Sequence, residues 1–383
     1  MEENTGMKTL YLHIGMPRTA TTVLQRFCAD NQEELNRQGY CYPVMPFRYR
    51  NAGQLRTAHF MFGRVTDENG NRDIEKEKQY FREGFETLYS AFASYDNVIL
   101  SDEGLWNCGF RDRDSVWAKL KREMEAKHFT TKVIVYLRRQ DDFLFSWWSQ
   151  RIKEGLYQEC VLSWEEMTRE MPIVHLDYYE MLHDISEYVG KENLIVRRFD
   201  REYFTGGSIY EDFVNVIGLE YSDAFKIQAE TLNRGLTKNN AEIKRILNKL
   251  PDLDVHSNWM FQNILAHNSN SKKDNRKYSM FSRQEAEELY EKYREGNRLI
   301  GEAYMGMEKE DLFPFEYNAE QKWTPDNEEM LEDIILFMGT SYLTMEKKME
   351  RQLQEQKKEI DNLRDIIRHP VRRGFKKIKN KLR

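Results

Sequence analysis

Residues 8–25 read KTLYLHIGMPRTATTVLQ, and their reading decides the fold. The run at 8–15 is short, apolar and β-rich, and it stops at Gly15 and Pro17. A helical pattern then occupies about 21–38, with Val23, Leu24, Phe27 and Leu35 as expected buried positions and Gly39 as its stop. The order is strand, glycine turn, helix. In such a turn the first helical N–H groups have no carbonyl to bond, and the helix dipole adds positive potential. Thr21 and Thr22 contribute hydroxyl donors, and Arg18 a cation that can fork two anionic oxygens.

Working outward, three further apolar runs have strand length: NVILS at 97–101, KVIVYL at 132–137 and NLIVRRF at 193–199. Continuous apolar strands alternating with helical stretches predict a parallel sheet covered on both faces. Ligands of such sheets sit beyond the carboxyl ends of the strands. The notable polar residues fall there: 18–22, Glu103, and Arg138 with Arg139. The aromatic and charged region at 43–92 reads as helices and loops near that edge.

The loop departs from a nucleotide-triphosphatase loop in an informative way. A Walker A motif places Lys immediately before its last Ser or Thr, with magnesium on the hydroxyl. Here Thr21 holds the lysine position, Ala20 that of the last glycine, and the cation comes earlier, at Arg18. Magnesium-dependent phosphoryl transfer therefore loses its main supports.

LYLHIGMPRTATTVLQ at 10–25 resembles the 5′-phosphosulfate loop of sulfotransferases that use 3′-phosphoadenosine 5′-phosphosulfate (PAPS), above all bacterial ones acting on carbohydrates. VIVYLRRQDDFLFSWWSQ at 133–150 resembles that family's 3′-phosphate element, a strand ending in Arg with Ser eight residues on, here Arg138 and Ser146. GYCYP at 39–43 and NRGLTKNNAEI at 233–243 are also similar to that group. The resemblance covers about residues 8–320, within an expected sulfotransferase domain of residues 1–320. It implies an α/β, P-loop-like three-layer fold, with a central mostly parallel sheet flanked by helices. It also implies a donor site of Pro17, Arg18, Thr19, Ala20, Thr21, Thr22, Arg138 and Ser146, with Arg234, Asn233 or Lys238 folding over the nucleotide, and no metal requirement. Ala20 stands where glycine is more usual.

In-line sulfuryl transfer needs a base on the acceptor hydroxyl and a cation on the departing phosphate. Arg18 is the expected cation. Glu103, just past the NVILS run, and His59, in RTAHFMF, are the two candidate bases; strand alternation would point Asp102 away. The implied acceptor is a carbohydrate or glycolipid, with a steroid or other small alcohol as the alternative. An enzymatically idle, membrane-associated nucleotide-binding scaffold is the reading from another class.

Residues 321–383 form an expected C-terminal extension. Residues 327–367 read as helix, with Tyr342, Met349 and Leu363 on one heptad position and Leu353, Ile360 and Ile367 on another, interrupted at Gln356. A coiled-coil homodimer through 340–367 is the expectation. Residues 368–383 hold eight Lys or Arg and no acid, with Val371, Phe375, Ile378 and Leu382 at helical spacing, a pattern expected to lie on an anionic membrane surface. The rest of the chain is then more acidic than the net charge of −6, which argues against nucleic-acid binding. With 40% hydrophobic and 32% charged residues, the composition is that of a globular protein with a real core. Four cysteines without metal-type spacing, and no secretory signal pattern, predict a cytoplasmic protein at the inner membrane face.

Overall fold

The computed structural model describes residues 7–49, 55–61, 63–111, 113–155, 158–169, 175–227, 235–271 and 277–368. The chain opens with β1 (Lys8–His13), followed by helices α1 (Thr21–Asp30) and α2 (Gln32–Arg37) and the edge strand β2 (Tyr40–Cys41). A 3-10 turn at His59–Met61 precedes α3 (Ile74–Ser94), β3 (Asn97–Ser101), α4 (Gly104–Arg111), α5 (Arg113–Lys127) and β4 (Phe129–Leu137). Then come α6 (Gln140–Glu154), α7 (Trp164–Arg169), α8 (Tyr178–Val189), β5 (Leu194–Arg198) and α9 (Ile209–Val216). The remainder is α10 (Lys238–Leu247), α11 (Val255–Ser271), β6 (Tyr278–Ser279), α12 (Arg283–Tyr304), β7 (Gln321–Lys322) and α13 (Met330–Arg368).

The sheet has the order β2-β3-β1-β4-β5, and every pairing in it is parallel. β1 is central because its apolar residues are buried on both faces. Tyr11 packs with Leu24, Phe27, Ile99, Ile134, Tyr136 and Phe213 under α1 and α9, whereas Leu10 and Leu12, fully buried, point to the opposite face, where α3, α5 and α8 lie against the sheet. The fold is therefore α/β, three-layered and P-loop-like, with a C-terminal helical extension in α13. Register sets His13 beside Ser101 on one side and Ile134 on the other, so β1 and β3 end together. The strand order reverses around β1, and the loop that leaves it opens at the carboxyl edge.

The expected single helix over 21–38 is two helices. Asn31 breaks it, because its side chain bonds elsewhere: Nδ2 donates to the carbonyls of Phe27 and Lys226, each at 2.9 Å, and Oδ1 accepts the Lys226 amide at 2.7 Å. Val23, expected inside, is 37% exposed. It lies on the helix face turned from the sheet.

By compactness the chain forms two units, each discontinuous in sequence. The first comprises residues 1–150, 164–233 and 276–322 and contains the sheet; the second comprises 151–163, 234–275 and 323–383. In the second unit, Asn239 accepts from the Trp323 indole at 2.7 Å and donates to Asp333 at 2.8 Å, which ties α10 to the start of α13. Lys244 is buried there with no carboxylate beside it among the described residues. Its ammonium donates to Asn248 and to Asn258, and burial pushes it down to about 8. Among the described residues no helix is long and apolar enough to cross a membrane. Residues 369–383, most of the basic tail, lie outside the described residues.

Asn31→Ala would remove three hydrogen bonds, one to the buried Phe27 carbonyl and two to the Lys226 backbone, and should cost about 2 kcal/mol in urea unfolding.

Candidate active site

The loop after β1 is shaped by three residues in the left-handed region: Gly15 at φ 40°, Arg18 at φ 73° and Ala20 at φ 57°. Glycine is needed at 15, since a Cβ there would overlap Thr21 Cγ2. Ala20 caps α1 in this conformation without a side-chain bond. The residue is tolerated, not favoured, there: the αL region costs a non-glycine residue roughly 1–2 kcal/mol. Thr19 is fully buried and its hydroxyl donates to Met16 O at 2.6 Å, so it locks the loop and only its amide can face a ligand. Thr21 begins α1 and is buried, while Thr22 beside it is exposed and Pro17 half-buried. The N–H groups of α1's first turn thus open toward solvent at the carboxyl edge.

Two distant sequence elements meet at this loop. Arg18 Nε donates to Ser146 Oγ at 3.0 Å, a contact spanning 128 residues. Arg138 Nη1 donates to the Arg18 carbonyl at 3.3 Å. β4 delivers Arg138 just past its end, and α6 carries Ser146. The Tyr178 hydroxyl donates to the Arg138 carbonyl at 3.1 Å, and the guanidinium lies 5.8 Å from the Phe199 ring centre, which fixes its direction. Arg139, in contrast, is spent locally on Asp141, with bonds of 2.6 and 2.9 Å. Trp148 is fully buried and packs on Trp164, so it is core; Trp147 is half-buried.

The candidate bases lie where β3 ends. The amides of Thr57 and Ala58 donate to Ser101 O at 3.1 and 3.4 Å, which brings the 3-10 turn of His59 against that strand end. Gly84 of α3 lets the turn approach, since a Cβ there would run into the Phe60 ring. His59 Nδ1 is 2.9 Å from Asp102 Oδ2. Asp102 is fully buried; its other oxygen accepts the Gly104 amide at 2.6 Å and lies 3.7 Å from Arg56 Nη1. A carboxylate only accepts, so it holds the proton on Nδ1 and places the lone pair on Nε2. Glu103 is ion-paired through Oε1 to Arg56, and its Oε2 is buried with no hydrogen-bond partner among the described residues. Asp102 reaches His59, and it shares Arg56 with Glu103. Arg56, and Asp102 as a partner of His59, are candidate site residues that sequence reading did not assign. Their only signal is proximity, Asp102 beside Glu103 and Arg56 three residues before His59.

His13 lies beneath the loop. Its Nδ1 is 2.9 Å from Ser101 Oγ, and Nε2, which would stand 3.5 Å from a Cβ on Gly15, has no partner among the described residues. Burial pushes this imidazole down to about 4. Arg234 and Asn233 lie outside the described residues, and Lys238 is the first residue of α10 in the second unit. Among the described residues no three His, Cys, Asp or Glu side chains gather as a metal site would require.

No family model matches the chain. It is 28% identical over 182 residues to an uncharacterized protein of Archaeoglobus fulgidus, a match covering 46% of each chain, so it spans about half the length of that relative. Among solved structures it is similar to a sulfotransferase from Alicyclobacillus acidocaldarius, at 12% identity and a TM-score of 0.36, over 58% of this chain and 86% of that one.

The His13 shift gives a signed pH dependence. The unfolded imidazole takes a proton near pH 6.5, the folded one only near 4. Between these values the unfolded chain binds more protons, so stability is full above about 6.5 and falls as the pH drops toward 4. From pH 7 to pH 5 the loss should be about 2 kcal/mol. Urea midpoints at the two pH values would show it, and His13→Gln should remove that share of the slope.

Proposed function

We propose that this chain is a sulfotransferase that moves a sulfuryl group from PAPS to an acceptor hydroxyl. One observation carries the reading: Arg18 and Arg138, from elements 120 residues apart, converge with Ser146 on one strand-end loop. Two guanidinium groups, a helix-borne hydroxyl and the open end of α1 form a donor set suited to a ligand anionic at both ends. The positive φ of Gly15 supports the fit, since it lets backbone rather than side chain line the cradle.

The donor supplies an activated sulfuryl group. The amides of residues 19–22, with the Thr21 and Thr22 hydroxyls, hold its 5′-phosphate, and Arg138 with Ser146 holds the 3′-phosphate. Arg18 neutralises charge on the leaving phosphate, a role electrostatic stabilisation fills well in a partly buried site. His59 Nε2 takes the acceptor proton, with Asp102 orienting the ring and offsetting the charge that develops. Glu103 has one observation in its favour as base, the unpartnered buried Oε2, which would accept from a hydroxyl brought there. The acceptor in this reading is a carbohydrate or glycolipid, and a steroid or small alcohol is the alternative. An idle scaffold would bind the nucleotide without turnover.

Calorimetry with 3′-phosphoadenosine 5′-phosphate tests the donor site. Micromolar or tighter binding without magnesium is expected, weakened at least 10-fold in Arg138→Ala, a loss of roughly 1.4 kcal/mol or more. Absence of binding at millimolar ligand removes the proposal.

Radiolabel transfer to a panel of glycans, glycolipids and steroids tests the base. His59→Gln should bind the nucleotide normally and lose ~10²–10⁴ in kcat. If Glu103→Gln shows that loss and His59→Gln does not, the role passes to Glu103.

A further inference from the structure

The feature that the site leaves unused is the length and surface of α13. Its first turns are anchored in the second unit by Met330, Asp333 and Phe337, all buried, with Phe337 5.8 Å from the Phe261 ring. At residues 342–365 every position is exposed. Those six to seven turns, about 36 Å of helix, bury no side chain; Lys348, 3.0 Å from His256 of α11, makes an exposed contact that covers none of the apolar positions. An isolated helix of this length has little stability of its own, since most helical stability in proteins comes from packing an apolar face.

Such a face is present. In the first half it runs through Ile335, Met338, Tyr342, Met345 and Met349, and in the second through Leu353, Ile360 and Leu363, with exposures from 49% for Ile360 to 66% for Tyr342. At about 100° per residue the stripe stays on one side of the helix, roughly a third of a turn from the anchoring face. Beginning at Leu331, the steps alternate four and three residues, except that four follows four at Met349 to Leu353. That extra residue brings the mean step to about 3.6, the repeat of a straight α-helix, so the stripe meets a parallel partner without the drift that forces strong supercoiling.

Charge and register point to the occupant. Gln356 is the polar residue within the stripe, and Glu359 and Arg364 border it on opposite sides. When two copies lie parallel and in register, Gln356 meets Gln356 of the other copy and can pair amide to amide. Glu359 then faces Arg364 across the seam, in both directions. Reversing one copy about Met349 also superimposes the apolar steps, but it sets Gln356 against Tyr342, Glu359 against Gly339 and Arg364 against Ile334. That arrangement replaces the amide–amide pair by an amide–phenol one and leaves both charges without complement.

We propose that α13 is the dimerisation element of this protein, forming a nearly straight, parallel, in-register two-stranded coiled coil with a second copy of the chain, the stripe at 331–363 as its seam. The pairing is independent of the chemistry at the loop.

Light scattering on the full chain after gel filtration is the first test. A mass twice the 46.1 kDa of one chain is expected at ~10 µM, and Leu353→Glu/Ile360→Glu should return it to one. Nucleotide binding retained in that variant excludes general unfolding as the reason. Orientation is read by disulfide trapping: Gln356→Cys should cross-link to itself on mild oxidation. A mixture of Tyr342→Cys chains with Gln356→Cys chains should give no mixed cross-link. A single-chain mass for the natural protein overturns the proposal. So does cross-linking confined to the mixed pair, or a mass that doubles only when anionic vesicles or another protein is added.

Discussion

The bond from Arg18 to Ser146 ties the molecule's chemistry to its fold. Arg18 stands in a left-handed turn that exists because β1 ends beside β3 and β4 and must hand over to α1 without a clash. Ser146 arrives on a helix that starts only after β4 has run past the end of β1. The contact is therefore a consequence of strand register: shifting β4 by one residue would turn Arg138 to the opposite face and move Ser146 away. Every role assigned to the loop presupposes that register, and the continuous burial of Leu10, Leu12, Val133 and Val135 holds it in place.

The carboxyl edge divides its labour between neighbouring strand ends. The end of β1 and the start of α1 contribute donors and cations. The end of β3 contributes an imidazole and two carboxylates, and both carboxylates lie against Arg56. This separation makes physical sense for a transfer reaction: anionic groups that take a proton must not compete for the guanidinium groups that hold an anion. Arg139 shows the alternative fate, since a carboxylate two residues away has captured it.

Legibility in the sequence followed the range of the interactions. The β1 loop and the Arg138–Ser146 element were readable because each is local: an apolar strand, a turn with glycine and proline, and a hydroxyl two helical turns on. The strands at 97–101 and 193–199 were readable as unbroken apolar runs. The helix break at Asn31 was not, because the competing bonds come from Lys226, a residue with no sequence signal linking the two. The edge strand Tyr40–Cys41 is too short to show a period, and Val23 shows that one apolar residue in a helical pattern does not fix its face. The pairing of His59 with Asp102 was invisible for the same reason as Asn31. It is made by a turn folded onto a strand end 43 residues away, and only its members, not their association, are written locally.

His13 has a consequence for how the loop meets its ligand. Because burial keeps this imidazole neutral, the floor of the cradle holds no charge that changes between pH 5 and 8. The fixed dipoles and the guanidinium groups of Arg18 and Arg138, which add positive potential over the loop, do not titrate in that range either. The floor of the cradle is electrically constant, and a pH response in the hold on an anion must come from the anion or from groups outside that floor.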